Sequence, residues 1–155
     1  MSEAGTTTDP SSASASASAS ASAGNIALAS RLLSSLGSEE VFEFFADDVV
    51  FEYPYAPSLG MPDRLEGKAT VVSHIRSLLA QLTGLTVRNI HSYSVAGDPD
   101  TVFSEYEGEA LTRNGGTYQQ IYMSKMLFRD GQLVLLRELW NPMKVIEAAG
   151  GTATV

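Results

Sequence analysis

Apolar and polar positions divide this chain into a helical first half and a strand-rich second half. From Asn25, a residue suited to capping a helix, Ile26, Ala29, Leu32, Leu33 and Leu36 recur at helical spacing, and Gly37 supplies a stop. Ser38 can cap a second, shorter helix to Phe45, with Glu39 and Glu40 in the first turn, where the helix dipole favours them. After Asp48 the period falls to two. VVFEYPYAP sets Glu52 on one face and Phe51, Tyr53 and Tyr55 on the other, and Pro54 ends the strand or confines it to an edge. APSLGMPDRLEG, rich in proline and glycine, reads as a loop, and residues 57–64 could lie over a pocket mouth. Lys68 to Leu82 is the clearest helix: Val71, Ile75, Leu78 and Leu82 form one stripe, and His74 borders it.

Strands follow from Leu85 to Val95 and from Thr101 to Thr112, separated by a loop at residues 96–100. Glu105, Glu107 and Glu109 share a face of the second, which reads as a solvated outer surface because burying three like charges together is prohibitive. Ile121 to Pro142, IYMSKMLFRDGQLVLLRELWNP, is then two apolar strands joined by Asp130-Gly131, a tight-turn pair that tolerates positive φ. Counting outward from the turn pairs Arg129 with Gln132, Met123 with Glu138 and Ser124 with Arg137. Glu138 shares a face with Val134, Leu136 and Trp140, the only tryptophan. A carboxylate there needs a partner: either a diagonal ion pair with Lys125 or a functional role. The other face collects Tyr122, Met126, Phe128, Leu133, Leu135 and Leu139, which should cover helices or a second subunit.

Helices followed by an antiparallel meander predict an α+β fold: a curved antiparallel sheet wrapped around N-terminal helices as a cone-shaped α+β barrel. Its cavity would be lined by the helix stripe, the strand at Phe51 and the end of the last strand. Residues 1–24 carry an alternating Ser/Ala tract with no large apolar anchor and read as a disordered tail, residues 25–149 as one domain, and residues 150–155 as a C-terminal tail.

Composition narrows the function. Ten basic against eighteen acidic residues, net charge -8, argue against a nucleic-acid partner. The lack of cysteine removes thiolate chemistry, and two histidines, His74 and His91, without HxxxH or HExxH spacing, argue against a metal site. No run suits a membrane span or a secretion signal, so a cytoplasmic protein with no membrane partner is expected.

FFADDVVFEYP, LEGKATVVSHI and FRDGQLVLLRELWNP, in that order, resemble the SnoaL-like and ketosteroid-isomerase-like families of the nuclear-transport-factor-2 superfamily, over roughly Asn25 to Ala149. Arg137-Glu138-Leu139-Trp140-Asn141-Pro142, with the Asp-Pro loop and the Asp-Gly hairpin, is most similar to the phenazine-biosynthesis A/B-type proteins. That resemblance implies that Glu138 and His74 form an acid/base pair. A serine four residues after the family's histidine is replaced here by Leu78, with Ser77 one place off, which sets this chain apart from a phenazine substrate. The positions of the steroid isomerase donors and base fall near Ser30, Tyr53 and Met123 or Ser124, so that mechanism lacks its groups.

The resulting expectation is a cofactor-free cyclase or isomerase of natural-product (antibiotic) biosynthesis. It would fold an apolar polyketide-like substrate in the cone, by confinement such as a cycloaddition or with acid/base help from Glu138 and His74. Tyr53, Tyr55, Trp140, Met123, Leu78 and Phe51 would line the site. Dimerisation through the sheet is implied by the family. The alternative is a non-catalytic binding module or dimeric scaffold.

Overall fold

The computed structural model describes residues 9–151; the expected tails therefore fall partly outside the described residues, at 1–8 and 152–155. The first helix, α1, spans Pro10–Ser34. It begins fifteen residues before the expected cap because Asp9 accepts a hydrogen bond from the Ser11 amide and Pro10 takes the first turn. Alanine at alternate positions then carries the helix through the Ser/Ala tract, correcting the expected disorder over residues 10–24. Asn25 lies inside this helix, and its side-chain amide donates to the Pro99 carbonyl. Only Ala29, Leu32 and Leu33 of α1 are buried.

A 3₁₀ helix (Glu39–Phe44) leads into β1 (Phe45–Glu52), a second one (Ala56–Leu59) into β2 (Arg64–Glu66), and α2 (Lys68–Leu79) follows. Then come β3 (Leu82–Val95), β4 (Asp98–Thr112), β5 (Thr117–Arg129), β6 (Gln132–Trp140) and α3 (Pro142–Ala148). The six strands form one curved, unclosed sheet in the order β2-β1-β6-β5-β4-β3, antiparallel except for the β1–β6 pair. The α+β expectation holds.

α1 packs on β3 and β4, and α2 on β1, so both helices cover one face. That face carries Val102 and Tyr106 of β4, Met126 and Phe128 of β5, and Leu133 and Leu136 of β6 in one core with Phe45, Val49 and Phe51. Phe45 meets Phe42 and Phe51 edge to face at 5.9 and 5.2 Å. Phe45→Ala is expected to cost about 3–5 kcal/mol, read as a lowered urea midpoint at unchanged slope, because that tight neighbourhood cannot collapse onto the hole.

The hairpin turns at Asp130 (φ 52) and Gly131 (φ 76), as their tolerance of positive φ requires. The register beyond it differs from a plain count. Phe128 faces Leu133 but Leu127 faces Leu135, so Val134 is an extra residue, a β-bulge. Every later pair moves by one: Ser124 faces Glu138, Met123 faces Leu139 and Lys125 faces Arg137. The bulge switches the face of β6. Leu133 is inside before it; Leu136, Glu138 and Trp140 are inside after it, in phase with Tyr122, Ser124, Met126 and Phe128. Tyr122, Met126, Phe128 and Leu133 therefore share the core face with Glu138, Leu135 and Leu139 stay on the other, and Glu138 has no path to Lys125.

Candidate functional site

The parallel β1–β6 pair brings the C-terminal ends of both strands together, beside the N-terminal end of antiparallel β5. At this end of the sheet stand Tyr53, just past β1; Glu138 and Trp140 on β6; and Tyr118 and Tyr122 on β5. Their neighbour on β4 is Tyr106. α3 runs across it, packing against β5 and the 3₁₀ helix at residues 56–59. Gln120 pins that corner: its side chain donates to the Asn141 carbonyl at 2.9 Å and accepts from the Asn141 amide at 3.1 Å. Asn141 in turn caps α3 through the Met143 amide.

Glu138 is the one carboxylate on this face of β6, and the Tyr106 hydroxyl donates to its Oε1. Burial raises its carboxyl from 4.5 to about 7, outweighing the lowering effect of the Tyr106 bond. Part of the residue nevertheless stays accessible. Trp140, Tyr118 and Tyr122 beside it are likewise only half-buried, so this end of the core is open to partial solvent contact. Tyr118 and Tyr122 share a hydroxyl–hydroxyl bond of 2.7 Å, and the Tyr122 ring stacks on Tyr106 at 4.9 Å. All four tyrosines lie within reach of the Glu138 charge, which together with the larger effect of burial holds their hydroxyls protonated.

His74 is half-buried on α2, and burial lowers its imidazole below 6.5, so the ring is neutral at neutral pH. Its ring lies 5.7 Å from that of Tyr53, and among the described residues no hydrogen bond joins it to Glu138. Tyr53 stands between the two sides: its ring meets His74, and the Glu138 charge helps keep its hydroxyl protonated.

The structure brings Glu138, His74, Tyr53 and Trp140 to one region and separates the other expected lining residues. Met123 is 54% exposed on the outer face, displaced by the bulge. Tyr55 is 50% exposed where the chain turns into the 3₁₀ helix after Pro54. Leu78 is 39% exposed, since α2 stops at Leu79 and Leu82 belongs to β3, which turns the apolar stripe off the core after Ile75. Phe51 is sealed between Phe45 and Tyr53. The cone is therefore narrower than the helix stripe suggested: Val71, Ile75 and Phe51 fill its interior. Two surface clefts of ≈ 320 and ≈ 520 Å³ lie elsewhere, one beside Arg88, Gln119 and Lys144, the other along α2, and neither includes Glu138.

Tyr106, Tyr118 and Tyr122 were absent from the sequence-derived site. Tyr106 sits between Glu105 and Glu107, whose charges mark the outer face of β4, so the alternation that placed those two outside places Tyr106 inside. The glutamates are indeed external: Arg88 bridges Glu107 and Glu109 at 3.2 and 3.3 Å, and Tyr93 donates to Glu105. No helix among the described residues is long and apolar enough to cross a membrane.

Residues 31–136 match the SnoaL-like domain. The chain belongs to the SnoaL-like family. An uncharacterized PhzA/B-like protein of Pseudomonas aeruginosa is 37% identical over 122 residues, 78% of this chain and 84% of that protein. A Bacillus subtilis structure provisionally described as an isomerase is 30% identical, with a TM-score of 0.76, covering 85% of this chain and 96% of the other. A phenazine biosynthesis-related protein of P. aeruginosa superposes at a TM-score of 0.76 with 16% identity, covering 90% and 94%. At that identity the last likeness is one of fold. Proteins of this fold are described, provisionally, as an isomerase and, at 18% identity, as a polyketide cyclase, and a shared fold does not fix an activity.

Proposed function

We propose that this SnoaL-like domain is a cofactor-free isomerase or cyclase for an apolar, polyketide-like natural product, with Glu138 as its proton donor and acceptor. One observation supports the reading: a partly accessible carboxyl, pushed up to about 7, stands among aromatic rings and, among the described residues, is hydrogen-bonded through one oxygen only. An acid half-protonated at neutral pH can both give and take a proton, which contributes about 10²- to 10⁴-fold in rate. The neutral imidazole of His74, on the far side of Tyr53, orients the substrate or accepts a proton from it. Trp140 and Tyr53 supply the apolar walls, and α3 with the 56–59 turn excludes water from the end of the sheet.

The test is a pH–rate profile with a panel of enolisable aromatic polyketide analogues. The reading expects a change in kcat/KM with a midpoint near 7 that disappears in Glu138→Gln. A profile flat through pH 5–8 contradicts it. The filled interior at Phe51, Val71 and Ile75 favours a second reading, a small-molecule-binding module; ligand binding without turnover of any analogue would select it.

We further propose that the protein is a homodimer that pairs through the outer face of the sheet. Tyr93, Phe103, Leu111, Ile121, Met123 and Leu139 leave a row of large apolar side chains 37–69% exposed across four strands, more than an isolated sheet face tolerates. Light scattering at micromolar concentration is expected to give twice the chain mass, and Ile121→Asp, at the most exposed of these positions, to give one chain mass while keeping the circular dichroism spectrum. A wild-type monomer contradicts the pairing.

A further inference from the structure

We propose that Tyr106 is the positioning residue for Glu138: it holds carboxyl oxygen Oε1, so that Oε2 is the oxygen that carries the acid proton toward a ligand. This rests on the reading of Glu138 as the acid/base group and assigns that role to one atom.

Tyr106 is 1% exposed, so it cannot touch a ligand and acts only through what it bonds. Its hydroxyl donates to Glu138 Oε1. When the carboxyl is protonated, an oxygen that accepts from Tyr106 is the carbonyl oxygen, and the proton resides on Oε2. When the carboxyl is ionised, the same bond stabilises the charge and makes the proton easier to lose. Tyr106 therefore fixes both where the proton sits and how firmly it is held.

The neighbours keep that hydroxyl aimed. The Tyr122 ring lies flat against Tyr106, 15° from parallel, and the flat approach needs Gly108: a Cβ there would stand 3.0 Å from the Tyr122 ring. The Tyr122 hydroxyl is hydrogen-bonded to that of Tyr118 and, among the described residues, makes no bond to the carboxyl. Ser124, directly across the ladder from Glu138, has a buried hydroxyl that lies beside the Tyr106 hydroxyl and, among the described residues, makes no hydrogen bond to the carboxyl. The remaining groups around Glu138 are Tyr53, beyond β1, and His74 on α2 behind it; neither hydrogen-bonds to the carboxyl among the described residues.

The experiment is a titration of the Glu138 carboxyl in the unliganded full chain, by carbon NMR of the glutamate carboxyl, in wild type, Tyr106→Phe, Gly108→Ala and Tyr53→Phe. Tyr106→Phe keeps the ring and the stack but removes the donor; the carboxyl should titrate about one to two units higher than in wild type. Gly108→Ala, which pushes Tyr122 and loosens the stack, should move it the same way by less. Tyr53→Phe, which removes a nearby hydroxyl that makes no bond to the carboxyl, should leave it in place. An unchanged titration in both Tyr106→Phe and Gly108→Ala overturns the assignment, as does a Tyr53→Phe shift equal to that of Tyr106→Phe. Because no substrate is used, the outcome is independent of whether the protein turns anything over.

Discussion

Replacing Glu138 by glutamine is expected to lower turnover by about 10²- to 10⁴-fold and, at the same time, to make the fold more stable at pH 8. The two effects have one origin. In the unfolded chain the carboxyl ionises near 4.5, and in the folded protein at about 7. Between those values the folded state keeps a proton that the unfolded state has released, so stability falls as pH rises through that window. A gap of this size corresponds to at most about 3 kcal/mol. Glutamine keeps an oxygen for the Tyr106 hydroxyl but never ionises, so it avoids the loss. Urea unfolding should therefore show wild type and Glu138→Gln nearly equal at pH 4 and separated by up to about 3 kcal/mol at pH 8, glutamine being the more stable. A variant that is less stable at every pH would mean that the carboxylate is structural.

Deleting Val134 and Leu135 together should have an even larger effect on folding. With two residues gone, strict alternation from Leu133 turns Leu136, Glu138 and Trp140 to the outer face and brings Arg137 inside. Loss of Leu136 burial alone costs about 2–5 kcal/mol, and an unpaired buried guanidinium adds to it. With total stabilities of about 5–15 kcal/mol for domains of this size, this double deletion is expected to abolish cooperative unfolding in circular dichroism melts. Deleting Val134 alone removes only the extra residue, so Leu136, Glu138 and Trp140 stay inside and a cooperative melt is expected to survive. If the double deletion melts like wild type, or the single deletion loses its cooperative melt, alternation from Leu133 does not decide which face Glu138 occupies.

That bulge also explains what could be read from the residues and what could not. Asp130-Gly131 announced the hairpin because its backbone angles are chemically demanding. LVLL, at Leu133 to Leu136, looks equally apolar on either face, so the sequence carried no mark of the inserted residue, and Met123 and Tyr122 were assigned to the wrong sides. Leu82 fitted the period of α2 but starts β3, because an apolar residue suits either element. β2, three residues long, and α3, seven residues long, are too short to leave a period at all. The inward placement of Glu138 was legible through its apolar neighbours. Its bond to Tyr106 was not, because Tyr106 is 32 residues away and the contact depends on the pairing of three strands.

The central claim is that the Glu138 carboxyl titrates near neutrality inside the protein. Difference infrared spectroscopy of wild type minus Glu138→Gln, followed from pH 4 to 9, isolates the carbonyl stretch of this one group. The account predicts a band of a protonated, hydrogen-bonded carboxyl that is lost with a midpoint near 7. A band already gone at pH 5, with a midpoint near 4.5, would contradict it.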